Sequence, residues 1–145
     1  MQKALLVARE AFADREVPVG CVIVDGNGEI LSTGRNRCEA ASDATAHAEM
    51  EAISKAAKKR GDWRLDDCTL VVTLEPCPMC TGAIINSRIS TVVYGAKDEQ
   101  MGSCGSVIDL FCENYHHHPS VFSGVLKDEC AGLLKQFFKE EREHA

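Results

Sequence analysis

The chain has 145 residues and a formal net charge of −6, with 45% hydrophobic and 26% charged residues. That length predicts one domain, 1–145, able to bury a core without disulfide staples, and no apolar run approaches the ~20 residues of a membrane span. The acidic balance argues against a broad, non-specific nucleic-acid footprint, although a local basic rim stays compatible with it.

The stretch Ala4–Ala8 is too short for a signal-peptide core, and Arg9 and Glu10 follow at once, so a cytoplasmic protein is expected. Residues 2–14 read as a helix, with Leu5, Leu6, Arg9 and Phe12 at helical spacing. Pro18 cannot continue it. Gly20–Val24 suits a buried strand. Asp25-Gly26-Asn27-Gly28 is a turn signal, and Glu29–Gly34 returns as the paired strand. Residues 35–44 read as a loop. A helix then opens at Thr45 or Ala46 and runs to about Arg60, with Ala48, Ala52, Ile53 and Ala56 facing inward. Gly61 ends it after the cationic turn Lys58-Lys59-Arg60.

Further along, Thr69–Leu74 is a β-branched strand run. Residues 78–86 form a helix with Pro78 in its first turn. Thr91–Tyr94 is a strand, residues 106–111 a short helix, and Val121-Phe122 a short strand. The last helix covers 127–142, with Leu133, Leu134, Phe137 and Phe138 as its apolar stripe. Strands alternating with helices predict an α/β sandwich, and the opening hairpin makes the sheet mixed.

Eight cysteines do not mark a disulfide framework in a chain of this class. Cys21, Cys68 and Cys130 fall in apolar patterns and read as buried thiols. Cys38, Cys104 and Cys112 take no role from their spacing.

Cys77 and Cys80 stand three apart at a predicted helix start, where both sulfurs can reach one ion. The positive helix end favours thiolate, and Pro78 forfeits no hydrogen bond there. His47 also sits at a helix start, where protonation is disfavoured and a neutral imidazole can ligate. Three ligands leave a fourth zinc position for water. Zinc acidifies such a water, and Glu49 stands two residues after His47, within reach as a proton acceptor. A lone Cys-x-x-Cys is equally a redox or structural-zinc half-site. The joint pattern of His47-Ala48-Glu49 with Pro76-Cys77-Pro78-Met79-Cys80 points to zinc hydrolysis instead.

This pattern is the zinc deaminase signature H-x-E…P-C-x-x-C. The chain resembles the bacterial tRNA adenosine deaminases along nearly its whole length. The likeness runs through Glu16-Val17-Pro18-Val19-Gly20, Asn36-Arg37, Thr45–Glu49, Val72–Cys80, Gly95-Ala96-Lys97-Asp98 and Asp128-Glu129-Cys130. The resemblance implies a cytidine-deaminase-like three-layer α/β/α sandwich with a five-stranded mixed sheet, and a homodimer. It implies one Zn²⁺ per chain on His47, Cys77 and Cys80, with Glu49 as proton shuttle. It places Asn36, the Ala48 backbone N–H and Asp98 against the target nucleoside, and Phe137, Phe138 and Arg142 against neighbouring nucleotides. Three features depart from the pattern: the acidic tail Glu140–Ala145, Cys104 in a glycine-rich loop, and the run His116-His117-His118, which reads as an exposed loop rather than a second metal site.

The expected reaction is hydrolytic deamination of the wobble adenosine in a tRNA anticodon stem-loop to inosine. The alternatives are a deaminase of a free base or nucleoside, such as guanine or cytidine, and a non-catalytic zinc-stabilised RNA-binding subunit. Glu49 speaks against the last, which has no need of a carboxylate beside an open zinc position.

Overall fold

The computed structural model describes residues 1–144; Ala145, the end of the acidic tail, lies outside the described residues. Five strands form one sheet: β1 (Gly20–Val24), β2 (Ile30–Arg35), β3 (Thr69–Leu74), β4 (Thr91–Ala96) and β5 (Ser120–Phe122). Their order is β2-β1-β3-β4-β5. β1 pairs antiparallel with β2 and β3, whereas β3–β4 and β4–β5 are parallel. The mixed five-stranded sheet is therefore as expected.

Helices cover both faces. α1 (Gln2–Ala13) packs on β1, and α5 (Lys127–His144) packs on β4 and touches α1. α3 (Ala48–Arg60) lies on β1 and β2, and α4 (Pro78–Ser87) packs beside α3. The larger core lies on the α3/α4 side and includes Cys21, Ile23, Ala52, Ala56, Leu70, Val72, Ile84 and Val92. A smaller cluster of Leu5, Ala96 and Cys130 lies under α1 and α5. Cys21, Cys68 and Cys130 are buried free thiols, as their apolar surroundings predict.

Alanines rather than large side chains bring two helices against the sheet. Ala4, Ala8 and Ala11 are wholly buried in α1, whereas Leu6, expected on the apolar side, is 55% exposed. The close approach is set by Gly20, where a Cβ would stand 2.0 Å from the Ala4 carbonyl oxygen. Gly34 does the same for α3: a Cβ there would stand 2.1 Å from the Ala48 carbonyl oxygen and 2.7 Å from the Ala52 nitrogen. Periodicity ranks apolar side chains by size, but a backbone contact of this kind needs the smallest ones.

Two segments differ from the sequence expectation. The expected loop at 35–44 contains a short helix, α2 (Cys38–Ala41). Its amides at Glu39 and Ala40 donate to the buried carboxylate of Glu16 at 3.0 and 2.7 Å. The long helix that follows begins at Ala48 rather than at Thr45 or Ala46, because His47 is extended and caps it. The expected helix at 106–111 is reduced to one 3-10 turn, Leu110–Cys112. The Ser106 amide is drawn off to the Glu75 carboxylate, and Cys104 bridges Asp109. In both cases a buried carboxylate distant in sequence decides the backbone.

Gly34→Ala is expected to destabilise the fold by about 1–3 kcal/mol, as overpacking does, whereas Gly132→Ala, in open space on α5, should be neutral or stabilising. Urea unfolding midpoints compare the two; a Gly34→Ala midpoint equal to wild type would contradict the close-packing account.

Candidate active site

The starts of α3 and α4 meet at one edge of the sheet. His47 is the N-cap of α3, and Cys77 is the N-cap of α4 with Pro78 immediately inside it. Cys80 lies in the first turn of α4 and is fully buried. His47 Nδ1 lies 3.6 Å from Cys77 Sγ and 3.5 Å from Cys80 Sγ. All three ligand atoms fall within 4.8 Å of one another. A tetrahedral ion with Zn–N near 2.0 Å and Zn–S near 2.3 Å requires N···S separations of about 3.6 Å. The donor set therefore fits zinc without rearrangement.

Protons and a dication compete for these atoms. Hydrogen bonds from Cys80 and His47 hold the Cys77 thiol well below its ordinary range, at about 4. Cys80 is pushed strongly upward, because it donates to the Cys77 thiolate and is buried. His47 is raised too, by its hydrogen bond to Cys77. Its position at a helix start predicts the opposite, since the positive helix end disfavours imidazolium. The facing thiolate is the stronger influence. Of the three ligands only Cys77 is held as thiolate beforehand, and zinc binding displaces the protons kept on Cys80 and His47.

Glu49 is 4% exposed, and burial pushes its carboxyl up to about 7. A group in that range accepts and returns protons at neutral pH with little driving force lost in either direction. Glu49 shares with His47 and Cys77 the lining of a cavity of about 1070 Å³. Asn36, Ala48 and Asp98 line the same cavity. Asn36 sits just past β2 and is buried, with its backbone N–H on Val19 O at 3.3 Å. Asp98 follows β4, and its Oδ1 accepts from the amides of Gln100 and Met101 at 3.0 and 3.1 Å. The structure therefore brings His47, Cys77, Cys80, Glu49, Asn36, Ala48 and Asp98 to one place.

The residues of the last helix divide. Phe137 is buried edge-on against Phe12, with ring centroids 5.6 Å apart, although it also lines the cavity. Phe138 is 47% exposed and stands at the cavity rim. It also lines a smaller groove with Leu134, Lys135, Lys139 and Arg142. His117 and His118 each bond a backbone carbonyl oxygen at 2.7 Å, those of Ile89 and Phe111. Among the described residues the only metal-competent group is the one at His47, Cys77 and Cys80.

Spacing alone missed two supporting carboxylates. Glu16 caps α2 at the cavity wall. Glu75, 2% exposed, accepts from the amides of Asp98, Cys104 and Ser106, each at 3.1 Å, and from the Ser106 hydroxyl. It ties the segment 98–106 to the strand that leads into the cysteines. The available signal was a lone acid beside an apolar strand run, in each case next to a proline motif.

A family model for the cytidine and deoxycytidylate deaminase zinc-binding region matches residues 1–96, which include every metal-competent residue above. The chain belongs to this deaminase family. It is a zinc-dependent hydrolase. This deaminase is 46% identical over 143 residues to the tRNA-specific adenosine deaminase of Bacillus subtilis (strain 168), covering 98% of this chain and 88% of the relative. A solved structure from work on A-to-I editing by tRNA:A34 deaminases at the wobble position of transfer RNA matches with a TM-score of 0.88 and 40% identity, covering 92% and 96% of the two chains. The guanine deaminase of Bacillus subtilis is more distant, with a TM-score of 0.65 and 33% identity over 99% of this chain and 92% of that one.

Chelation of the deaminase is expected to abolish activity and lower its thermal unfolding temperature together, because one ion links the starts of α3 and α4. Cys80→Ala should show both losses at once, measured by metal analysis and thermal melting; full zinc occupancy in that variant would contradict the ligand set.

Proposed function

We propose that the chain deaminates the wobble adenosine of a tRNA anticodon stem-loop to inosine, acting as a homodimer in the cytoplasm. The observation that carries the substrate reading is the setting of the cavity mouth. Phe138 borders both the cavity and a groove lined by Lys135, Lys139 and Arg142. Those three cations recur along one face of α5 and make a local basic groove beside the acidic cavity mouth, which a net charge of −6 leaves room for. A free base needs no such groove. The strong likeness to tRNA-specific adenosine deaminase supports the same reading. Exposed apolar side chains between Met101 and Phe122, among them Val107, Ile108 and Tyr115, support a self-association surface. No described helix is long and apolar enough to cross a membrane.

In this reading His47, Cys77 and Cys80 hold zinc. When bound, zinc supplies Lewis-acid activation of the attacking water. Anticodon-loop bases are already unpaired, so extruding one adenosine into the cavity costs little. Asn36, the Ala48 backbone and Asp98 hold the nucleoside with C6 toward Glu49. The Glu49 carboxylate takes a proton from water as its oxygen adds to C6. It passes that proton to the ring nitrogen and then carries the proton of the new C6 hydroxyl to the amine, which leaves as ammonia. Adenosine and water become inosine and ammonia. The buried, raised Glu49 suits both directions of transfer.

Glu49→Ala is expected to keep zinc and fold but lower kcat by about 10²–10⁴-fold, the usual worth of a positioned acid–base group; metal analysis and single-turnover kinetics on the stem-loop check this, and near-wild-type turnover would remove Glu49 from the mechanism. The substrate is tested by running a wobble-adenosine stem-loop beside free adenosine, cytidine and guanine. Conversion of the stem-loop is expected, with KM rising steeply with salt as phosphate contacts weaken. Conversion of guanine alone, without salt dependence, supports instead the activity of the more distant guanine deaminase relative.

A further inference from the structure

Cys38 falls outside the roles above, yet it lines the same cavity. It opens α2, whose amides at Glu39 and Ala40 are held by the Glu16 carboxylate. The Cys38 carbonyl oxygen accepts from the Asp43 amide at 3.0 Å, which fixes the other side of the turn. From this position Cys38 Sγ reaches Asn36 Oδ1 at 3.0 Å and the Ala46 carbonyl oxygen at 3.7 Å.

Asn36 is the group whose direction matters. Its amide offers an acceptor oxygen on one side and two N–H donors on the other. Sterically the two ends are near equal, so only hydrogen bonding chooses between them. Both acceptors facing Cys38 Sγ are oxygens, so the thiol is the donor. Burial, with Glu16 and Asp43 nearby, also raises the thiol above its ordinary range and keeps it protonated. The amide nitrogen of Asn36 has no hydrogen-bond partner among the described residues, and none of their buried side-chain polar atoms lacks a partner. That nitrogen therefore opens on the cavity.

We propose that Cys38 is a positioning residue: its thiol occupies the Asn36 carbonyl oxygen and so turns the Asn36 amide N–H toward an acceptor atom of the nucleoside. The donor turned into the cavity suits a ring nitrogen or ribose oxygen, and it rejects a group that can only donate. Without Cys38 the amide samples both orientations and presents the wrong end for part of the time. This inference rests on Asn36 binding substrate, as in the function proposed above.

The test compares wild type, Cys38→Ala, Cys38→Val and Cys38→Ser on the stem-loop, each with zinc content and thermal melting measured. Cys38→Ala and Cys38→Val are expected to raise KM roughly 3–10-fold, the worth of one modest hydrogen bond, with kcat within about twofold. Cys38→Ser retains a donor and should restore KM to within about twofold of wild type. In an Asn36→Ala background, Cys38→Ala should add nothing further, because the thiol acts through Asn36. The proposal is overturned by wild-type KM in Cys38→Val, by Cys38→Ser as impaired as Cys38→Ala, or by an undiminished Cys38→Ala effect in the double variant. If wild type converts only a free base, the tRNA reading fails, and the same variants on that base decide the role of Cys38 separately.

Discussion

Three ligand atoms from two distant segments must reach a single point, and most of the architecture serves that demand. His47 and Cys77 cap different helices, and Cys80 stands one turn inside the second. They meet because α3 and α4 begin at the same edge of the sheet and pack side by side. The parallel β3–β4 pairing carries α4 across the face between the two strands. Gly34 lets α3 lie against β2 at backbone distance, which sets the depth of His47. N···S separations of 3.5 and 3.6 Å are the result. They match what tetrahedral zinc requires.

Burying carboxylates is costly unless their oxygens are satisfied, and this fold buries three with two different outcomes. Glu16 and Glu75 are satisfied by backbone amides, and each fixes a loop of the cavity wall. Glu49 has far less hydrogen bonding, so desolvation wins and its carboxyl rises to about 7. The first two are scaffolding whose charge is spent on holding backbone. The third keeps its proton exchangeable at the cavity wall. The difference between the two kinds of buried glutamate here is the number of amides aimed at them.

The charge distribution has a similar logic. The chain is acidic overall, and Asp14, Glu39 and Glu141 all lie around the cavity. Arg15 pairs with Glu141 at 3.5 Å across that rim, a pair too exposed to hold much structure. The cations Lys135, Lys139 and Arg142 gather on the adjoining groove instead. An acidic mouth disfavours loose phosphate binding over the reactive centre, and a cationic groove beside it leaves a polyanion a preferred approach. Net charge is a poor guide to such a surface because it sums regions that a substrate meets separately.

The sequence by itself determined the zinc ligands, the buried cavity glutamate proposed to shuttle protons, the mixed α/β sheet and nearly every helix and strand. Those properties are local: ligand spacing at a helix start, β-branched runs, turn residues and a cationic helix end. The buried thiols Cys21, Cys68 and Cys130 were legible too, since they adjoin apolar runs, whereas the buried Cys104 was not. Tertiary structure alone decided that 35–44 contains a helix, that 106–111 is mostly not one, that alanines rather than Leu6 seat α1, and that without the ion His47 is pulled toward protonation by Cys77. Each of these depends on a group far away in the chain: Glu16 for α2, Glu75 for the 98–106 loop, Gly20 for α1, Cys77 for His47. A periodic pattern reports what a segment prefers on its own. A buried charge or a backbone contact from elsewhere outweighs that preference, because leaving it unmatched costs more than bending a few residues.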